Sequence, residues 1–193
     1  MKCIVQLRGL NASGKSTAMK QFVQKNGLKE KQIDVIGQKT WISINEKVVV
    51  LGRYSREAPT SNGCDAAIRG KEHLIATIQM MMDAHFDVIA FEGVMYSNRK
   101  QLAFYLYDLA EKNGYKFISV LMHLDYTEEL NRLFKRNGGK MINLDGFDSK
   151  RKSVYRIQSE LRKRGKLTFE ENVGKTPFSD MGGIVEKAIK MCE

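Results

Sequence analysis

Gly9, Gly14, Lys15 and Ser16 stand in the run RGLNASGKST at the spacing G-x-x-x-x-G-K-S. Residue types at that spacing suit a bound nucleoside triphosphate. Glycines let successive backbone N–H groups turn inward around a phosphate, and the start of a following helix adds the positive end of its dipole. Lys15 is expected to reach the β- and γ-phosphates, and the Ser16 hydroxyl to ligate a Mg2+ ion bridging them. The expected nucleotide-binding residues are Gly9, Asn11, Ala12, Ser13, Gly14, Lys15, Ser16 and Thr17. The bland alternative is a glycine-rich turn with an incidental lysine, and it is decided by what flanks the loop.

A phosphate cradle of this kind works between a strand and a helix, and the chain offers both. KCIVQL, before the loop, is an apolar run that reads as a buried strand; KSTAMKQFVQK, after it, puts Met19, Phe22 and Val23 on one helical face. In KTWISINEKVVVLGRY, two β-rich runs, Trp41 to Ile44 and Val48 to Leu51, flank a polar turn at Asn45 to Lys47, which predicts a hairpin. AIRGKEHLIATIQMMMDAHF predicts a helix with Ile68, Ile75, Ile78 and Met82 as its apolar positions, and FDVIAFEG a parallel core strand ending in Glu92. RKQLAFYLYDLAEKNG predicts a helix stopped by Gly114, KFISVLMHL another buried strand, and TEELNRLFKRNGG a helix capped by Thr127 with Glu128 or Glu129 in its first turn. FDSKRKSVYRIQSELRKRG predicts a helix with Val154, Ile157 and Leu161 inward, KLTFEENV a last strand, and Ser179 to Cys192 a closing helix. Such alternation predicts an α/β fold with a mainly parallel sheet flanked by helices.

With 193 residues, two prolines and no spacer rich in serine or glycine, the chain is expected to form one domain over residues 1–193. The opening apolar run is too short for a secretory leader and is cut off by Arg8, and no apolar run is long enough to span a bilayer, so a soluble cytoplasmic protein with no membrane partner is expected. Cys3, Cys64 and Cys192 lie far apart and outside any CxxC spacing, which predicts reduced thiols and no structural zinc. His73, His85 and His123 share no metal-ligand spacing.

Absences narrow the class. The chain has no Asn-Lys-x-Asp run of the kind that reads guanine, no Leu-Ser-Gly-Gly run and no core strand ending in Asp-Glu. Its small size, AFEGV at a strand end and the arginine-rich NRLFKRNGGK after the next strand resemble the P-loop kinases, the superfamily of nucleotide, nucleoside and polynucleotide kinases. The resemblance implies a three-layer P-loop NTPase fold, here with an added β-hairpin and a basic lid over about 132–150, and ATP with Mg2+ as cofactors. It also implies that Arg132 and Arg136 clamp the transferring phosphoryl group. The physical case stands beside it. The two arginines are four apart and point the same way on a helix, Gly138 and Gly139 offer a hinge, and phosphoryl transfer consists mostly of positioning and charge neutralisation. The alternative is a solvated basic helix end that complements the helix dipole.

An acceptor hydroxyl is scarcely ionised at neutral pH, so a kinase places a carboxylate within hydrogen-bond reach of it. Glu92 ends a core strand at the sheet edge where ligands of α/β folds collect. It is expected to serve as the metal-side carboxylate. Asp65, in SNGCD ahead of a helix, is expected to be the general base; a helix N-cap is its structural alternative, and the reverse assignment of the two acids stays open. Arg53, Tyr54, Asp65 and Tyr96 are the expected acceptor-binding residues.

Charge bears on what that acceptor is. The chain carries a formal net charge of +10. Between Asn131 and Lys166, twelve basic residues face three acids, so nearly all of the surplus lies in one segment. Such a field suits a polyanion such as DNA, although a lid serving ATP and a solvated helix would also use it. RGLNASGKST, VLGRY followed by GCD, FEGVMYS and RNGGK are together similar to a group of bacteriophage P-loop kinases that includes 5-hydroxymethyluracil DNA kinases. That resemblance implies transfer to the hydroxymethyl group of a base already in DNA. A base in DNA would have to leave the stack to reach the γ-phosphate, and Trp41, Tyr54 and Tyr96 are candidates to stack against it, each with a core or pocket-wall role as the alternative. A small-molecule nucleotide or nucleoside kinase and a nucleic-acid-binding ATPase are the alternatives.

Overall fold

Six consecutive residues, Cys3–Arg8, form β1, and all six are buried, as a strand must be when it is paired on both edges and covered on both faces. The computed structural model, which describes residues 1–54, 63–93, 96 and 98–193, sets β1 between β5 (Val88–Glu92) and β6 (Lys116–His123), parallel to each. Beyond β5 lies β4 (Val48–Leu51), and beyond β6 lies β7 (Thr168–Asn172), both also parallel. Two antiparallel strands, β3 (Gln38–Ile44) and β2 (Lys29–Val35), extend the β4 side. The seven-stranded order is β2-β3-β4-β5-β1-β6-β7.

Helices cover both faces of this sheet. On one, α1 (Lys15–Lys25) and α7 (Gly183–Lys190) pack with Val5, Leu7 and Val120. On the other, α3 (Lys71–Asp83), α4 (Lys100–Lys112) and α6 (Leu144–Lys163) pack with Ile4, Phe91 and Phe117. Met19, Phe22 and Val23 are buried, as are Val154, Ile157 and Leu161, in accordance with their helical spacing. The expected mainly parallel α/β architecture with helices on both sides is what the chain forms. Among the described residues no helix is long and apolar enough to cross a membrane.

Local departures from expectation have local causes. Strand β2 is polar, KEKQIDV, and carries no apolar run; it pairs at the sheet edge, where lysines also discourage pairing with another chain. The predicted hairpin is β3–β4, and its turn is fixed by Asn45, whose Oδ1 accepts from the N–H groups of Lys47 (3.0 Å) and Val48 (2.8 Å). The helix expected from residue 67 begins only at Lys71, because Gly70 takes φ 96°, a left-handed value that breaks the run. A separate short helix, α2 (Gly63–Ala67), precedes it, so Asp65 lies inside a helix instead of capping one. Helix α5 (Tyr126–Arg136) is entered from Asp125, two residues before the expected Thr127 cap. Helix α6 starts at Leu144, where Asn143 Oδ1 accepts from Gly146 N–H at 2.9 Å. The closing segment divides into a 3-10 turn at Phe178–Asp180 and α7.

Candidate functional site

β1 ends at Arg8 and α1 begins at Lys15, so the six residues between them form a loop at the C-terminal edge of the sheet. Two glycines make that loop possible. Gly9 sits at φ 142°, and a Cβ there would lie 2.4 Å from the Met122 carbonyl oxygen and 2.7 Å from Ser13 Oγ. Gly14 sits at φ 85°, with a hypothetical Cβ 2.4 Å from Met181 Cε. Any side chain at either position closes the cradle against its own walls.

Lys15 is buried, and its ammonium group is held by the loop itself. Its Nζ donates to the carbonyl oxygens of Gly9 (3.0 Å) and Leu10 (2.7 Å) and to Ser13 Oγ (3.3 Å), which engages all three N–H groups. Burial lowers the lysine pKa, and the Arg136 charge lowers it further, while the carboxylates of Glu92, Asp65 and Glu129 oppose the shift.

The next residue, Ser16, donates from Oγ to Glu92 Oε1 at 3.1 Å. This contact follows from topology: β1 and β5 are neighbours, with Leu7 opposite Glu92, so the last residue of β5 lies beside the start of α1. Glu92 is buried at 4 % exposure. Burial is the main cause that raises its pKa; Lys15 pulls it down, the Asp65 charge raises it, and the hydroxyls of Ser16 and Tyr54 lower it. The Tyr54 hydroxyl lies 3.4 Å from Glu92 Oε1 and 3.3 Å from the Leu51 carbonyl oxygen.

Asp65 reaches the same strand end from α2. Its Oδ1 stands 2.5 Å from where a Cβ on Gly93 would be, and Gly63, at the start of α2, packs so closely that its Cβ would lie 2.2 Å from Glu92 Oε1. The two carboxylates thus flank the Glu92–Gly93 peptide, and each feels the other's charge. Tyr96 is buried nearby, its hydroxyl donating to the Ile68 carbonyl oxygen at 2.8 Å. Residues 55–62, Val94, Met95 and Ser97, which include parts of SNGCD and FEGVMYS, lie outside the described residues.

Lys15, Ser16, Asp65, Glu92 and Tyr54 therefore converge on one end of the sheet. Arg136 is exposed on α5, on the same face as Glu129 and Leu133, and Leu133 packs in the cluster that contains Leu10 of the loop. Arg132 is instead paired with Glu128, Nε to Oε1 at 2.7 Å, along the helix surface. Arg53 pairs with Glu30, Nε to Oε2 at 3.3 Å, and lies over the Trp41 ring at 4.8 Å, while its backbone bridges that of Gly63.

Two acids escaped the sequence analysis. Glu30 clamps the end of β4 by accepting from Tyr54 N–H at 2.7 Å as well as from Arg53; nothing in the polar run KEKQIDV distinguishes it. Glu129 is buried at 1 % exposure, accepts from Arg151 Nε at 3.1 Å, and has its pKa raised by burial. The signal for Glu129 was present, since it shares a helical face with Leu133 and Arg136.

The donor set fits a triphosphate and a hard cation. Buried Lys15 faces the loop interior, an oxygen pair from Ser16 and Glu92 stands beside it, and the described residues hold no group of three His, Cys, Asp or Glu that would bind a metal without phosphate oxygens. No protein-family model matches the chain, and no curated protein matches it. Among solved structures it is similar to a de novo designed protein of P-loop NTPase fold, determined by solution NMR, at 13 % identity over 99 % of this chain and 92 % of that one, with a TM-score of 0.43. It is also similar to the crystal structure of APE1195, at 16 % identity over 98 % of this chain and 95 % of that one, with a TM-score of 0.47.

Proposed function

We propose that the chain is an ATP-dependent phosphotransferase that moves the γ-phosphate to a hydroxyl, and that the hydroxyl belongs to a modified base, 5-hydroxymethyluracil, in DNA. The observation that carries the phosphotransferase is the convergence of a looped-in lysine, a Ser16–Glu92 oxygen pair and a second carboxylate, Asp65, at one strand end.

Each group has a role that its environment supports. Lys15 exchanges its carbonyl partners for the β- and γ-phosphates; phosphate oxygens, being charged, are the stronger acceptors. Ser16 Oγ and Glu92 would hold Mg2+, which when bound supplies neutralisation of phosphate charge. Glu92 must be ionised to do so, and Lys15 favours that form. Asp65, on the α2 side of Gly93, accepts the proton of the acceptor hydroxyl as the phosphoryl group transfers, leaving ADP and a phosphate monoester. Arg136 faces the transferring group from α5, and Arg132 joins it on release from Glu128. Residues 132–150 act as the lid that carries these arginines.

The DNA acceptor is supported by charge. The segment from Asn131 to Lys166 holds twelve basic residues and three acids, more than one ATP needs. Incubation with γ-labelled ATP and, separately, hydroxymethyluracil DNA, plain DNA, a polynucleotide 5′-end, deoxynucleoside monophosphates and no acceptor tests both levels. Label on the hydroxymethyl base supports the proposal. Label on free nucleotides alone makes the enzyme a small-molecule kinase, and phosphate release without an acceptor makes it an ATPase.

A further inference from the structure

Helix α5 and the segment leading into α6 present two kinds of residue that a phosphate clamp does not need. From Leu130 to Leu144 there is no acid and there are four cations, Arg132, Lys135, Arg136 and Lys140. The same part of the chain exposes large apolar side chains: Tyr126 (40 %), Phe134 (48 %), Leu144 (53 %) and Met141 (95 %). Four of the ten exposed large hydrophobics among the described residues lie between Tyr126 and Leu144.

The backbone shows why Met141 points outward. Gly138 and Gly139 both take left-handed values, φ 67° and 78°, and the Gly139 N–H donates to the Phe134 carbonyl oxygen at 3.0 Å, which ends α5 and reverses the chain. Ile142 then packs inward with Leu10, Leu121 and Phe147, while its neighbour Met141 stands almost fully in solvent beside exposed Lys140. Arg136 lies on the face of α5 that carries Leu133, which packs with Leu10 of the loop. Lys135, Lys140 and Met141 are left for something outside the nucleotide site.

A polyanion with apolar gaps matches that combination. Proteins that open duplex DNA insert Met, Phe or Leu between base steps while flanking cations hold the phosphates. We propose that the α5–α6 tip is the element that opens the duplex: Met141 enters the base stack and fills the place of the base presented to the phosphoryl-transfer site, with Lys135 and Lys140 on the backbone. The inference rests on the DNA-acceptor proposal above and specifies which residues make a stacked base accessible.

A single strand needs no such opening, and this sets the test. Transfer is measured with the full chain on one hydroxymethyluracil oligonucleotide, as duplex and as single strand, for the natural protein, Met141→Ala and Met141→Leu. The ratio of kcat/KM for duplex over single strand falls at least about tenfold in Met141→Ala and is largely restored in Met141→Leu. Equal losses on both substrates, or no loss on either, overturn the wedge while leaving the DNA kinase standing. A second readout needs no catalysis: a duplex carrying 2-aminopurine beside the target base gains fluorescence on binding the natural protein and gains less with Met141→Ala. Met141-dependent fluorescence without phosphoryl transfer keeps the wedge and sinks the kinase. Absence of any Met141 effect on DNA, together with Met141-dependent binding to phosphatidylserine vesicles or self-association on concentration, assigns the patch to a membrane or a second copy and overturns the proposal.

Discussion

The loop between β1 and α1, with Lys15 just after it, and the tip between α5 and α6 are both glycine-turned and both carry cations, yet they are built on opposite principles. In the first, polar groups are tied to the chain itself: Lys15 to three acceptors, Ser16 to Glu92, and Ser13 Oγ to the Leu10 carbonyl oxygen at 2.9 Å. In the second, Lys135, Arg136 and Lys140 are exposed and Met141 lies in solvent. A site that meets a small ligand of fixed shape is preorganised by internal bonds. A surface that meets a large, deformable polyanion keeps its cations outward. The contrast is what the proposed division would need, with donor chemistry in the interior and acceptor selection on the rim.

The largest effect is expected at the interior. Lys15→Ala removes the cation that neutralises the phosphates and should reduce transfer on the order of a hundredfold to a thousandfold; near-normal turnover would show that the loop is not the donor site. Asp65→Asn should retain ATP binding and lose about a hundredfold in the single-turnover rate, the usual contribution of a positioned base. Glu92→Gln should raise the Mg2+ concentration needed for half-maximal rate. If Glu92→Gln leaves the Mg2+ requirement untouched while abolishing the chemical step, the two acids exchange roles.

Coupling between these acids gives a sharper test with a defined sign. Burial raises the Glu92 pKa and the Asp65 charge raises it further, while the ionised form is the one that would hold Mg2+ in the proposed reaction. kcat/KM should therefore rise with pH along an acid limb whose midpoint lies above the ordinary glutamate value of about 4.3. Removing the neighbouring charge in Asp65→Asn should move that limb to lower pH. An unmoved limb in Asp65→Asn would mean that the two carboxylates do not share a site.

On the rim the effects are smaller and uneven. Arg136→Ala should cost more than Arg132→Ala, because Arg132 must first give up Glu128; equal losses would mean that both are recruited only on closure. Tyr54→Phe removes a hydroxyl at 3.4 Å from Glu92 and should change stability by no more than about 1.5 kcal/mol, measured as a shift in the denaturant midpoint.

The interior was legible in the sequence and the rim only partly, for a physical reason. A central parallel strand is a continuous apolar run, so β1, β5 and β6 announce themselves, and the glycine spacing then fixes where Lys15 and Ser16 must stand. Edge strand β2 carries no such signal because only Val35 of its seven residues is buried. The partner of a charged group is set by tertiary packing. Spacing alone put Arg132 and Arg136 on one face, and only the fold shows that Arg132 is bound to Glu128. Tyr54 was read as an acceptor contact; its hydroxyl lies against Glu92, where no local pattern could have put it.

The most direct test of the account uses two duplexes identical except at one position, hydroxymethyluracil in one and thymine in the other, each incubated with the protein, Mg2+ and γ-labelled ATP under single-turnover conditions. The account predicts label in the first duplex, on the modified base and in proportion to enzyme, and none in the second. Equal label in both, label confined to the 5′-ends, or release of inorganic phosphate without labelled DNA would contradict it.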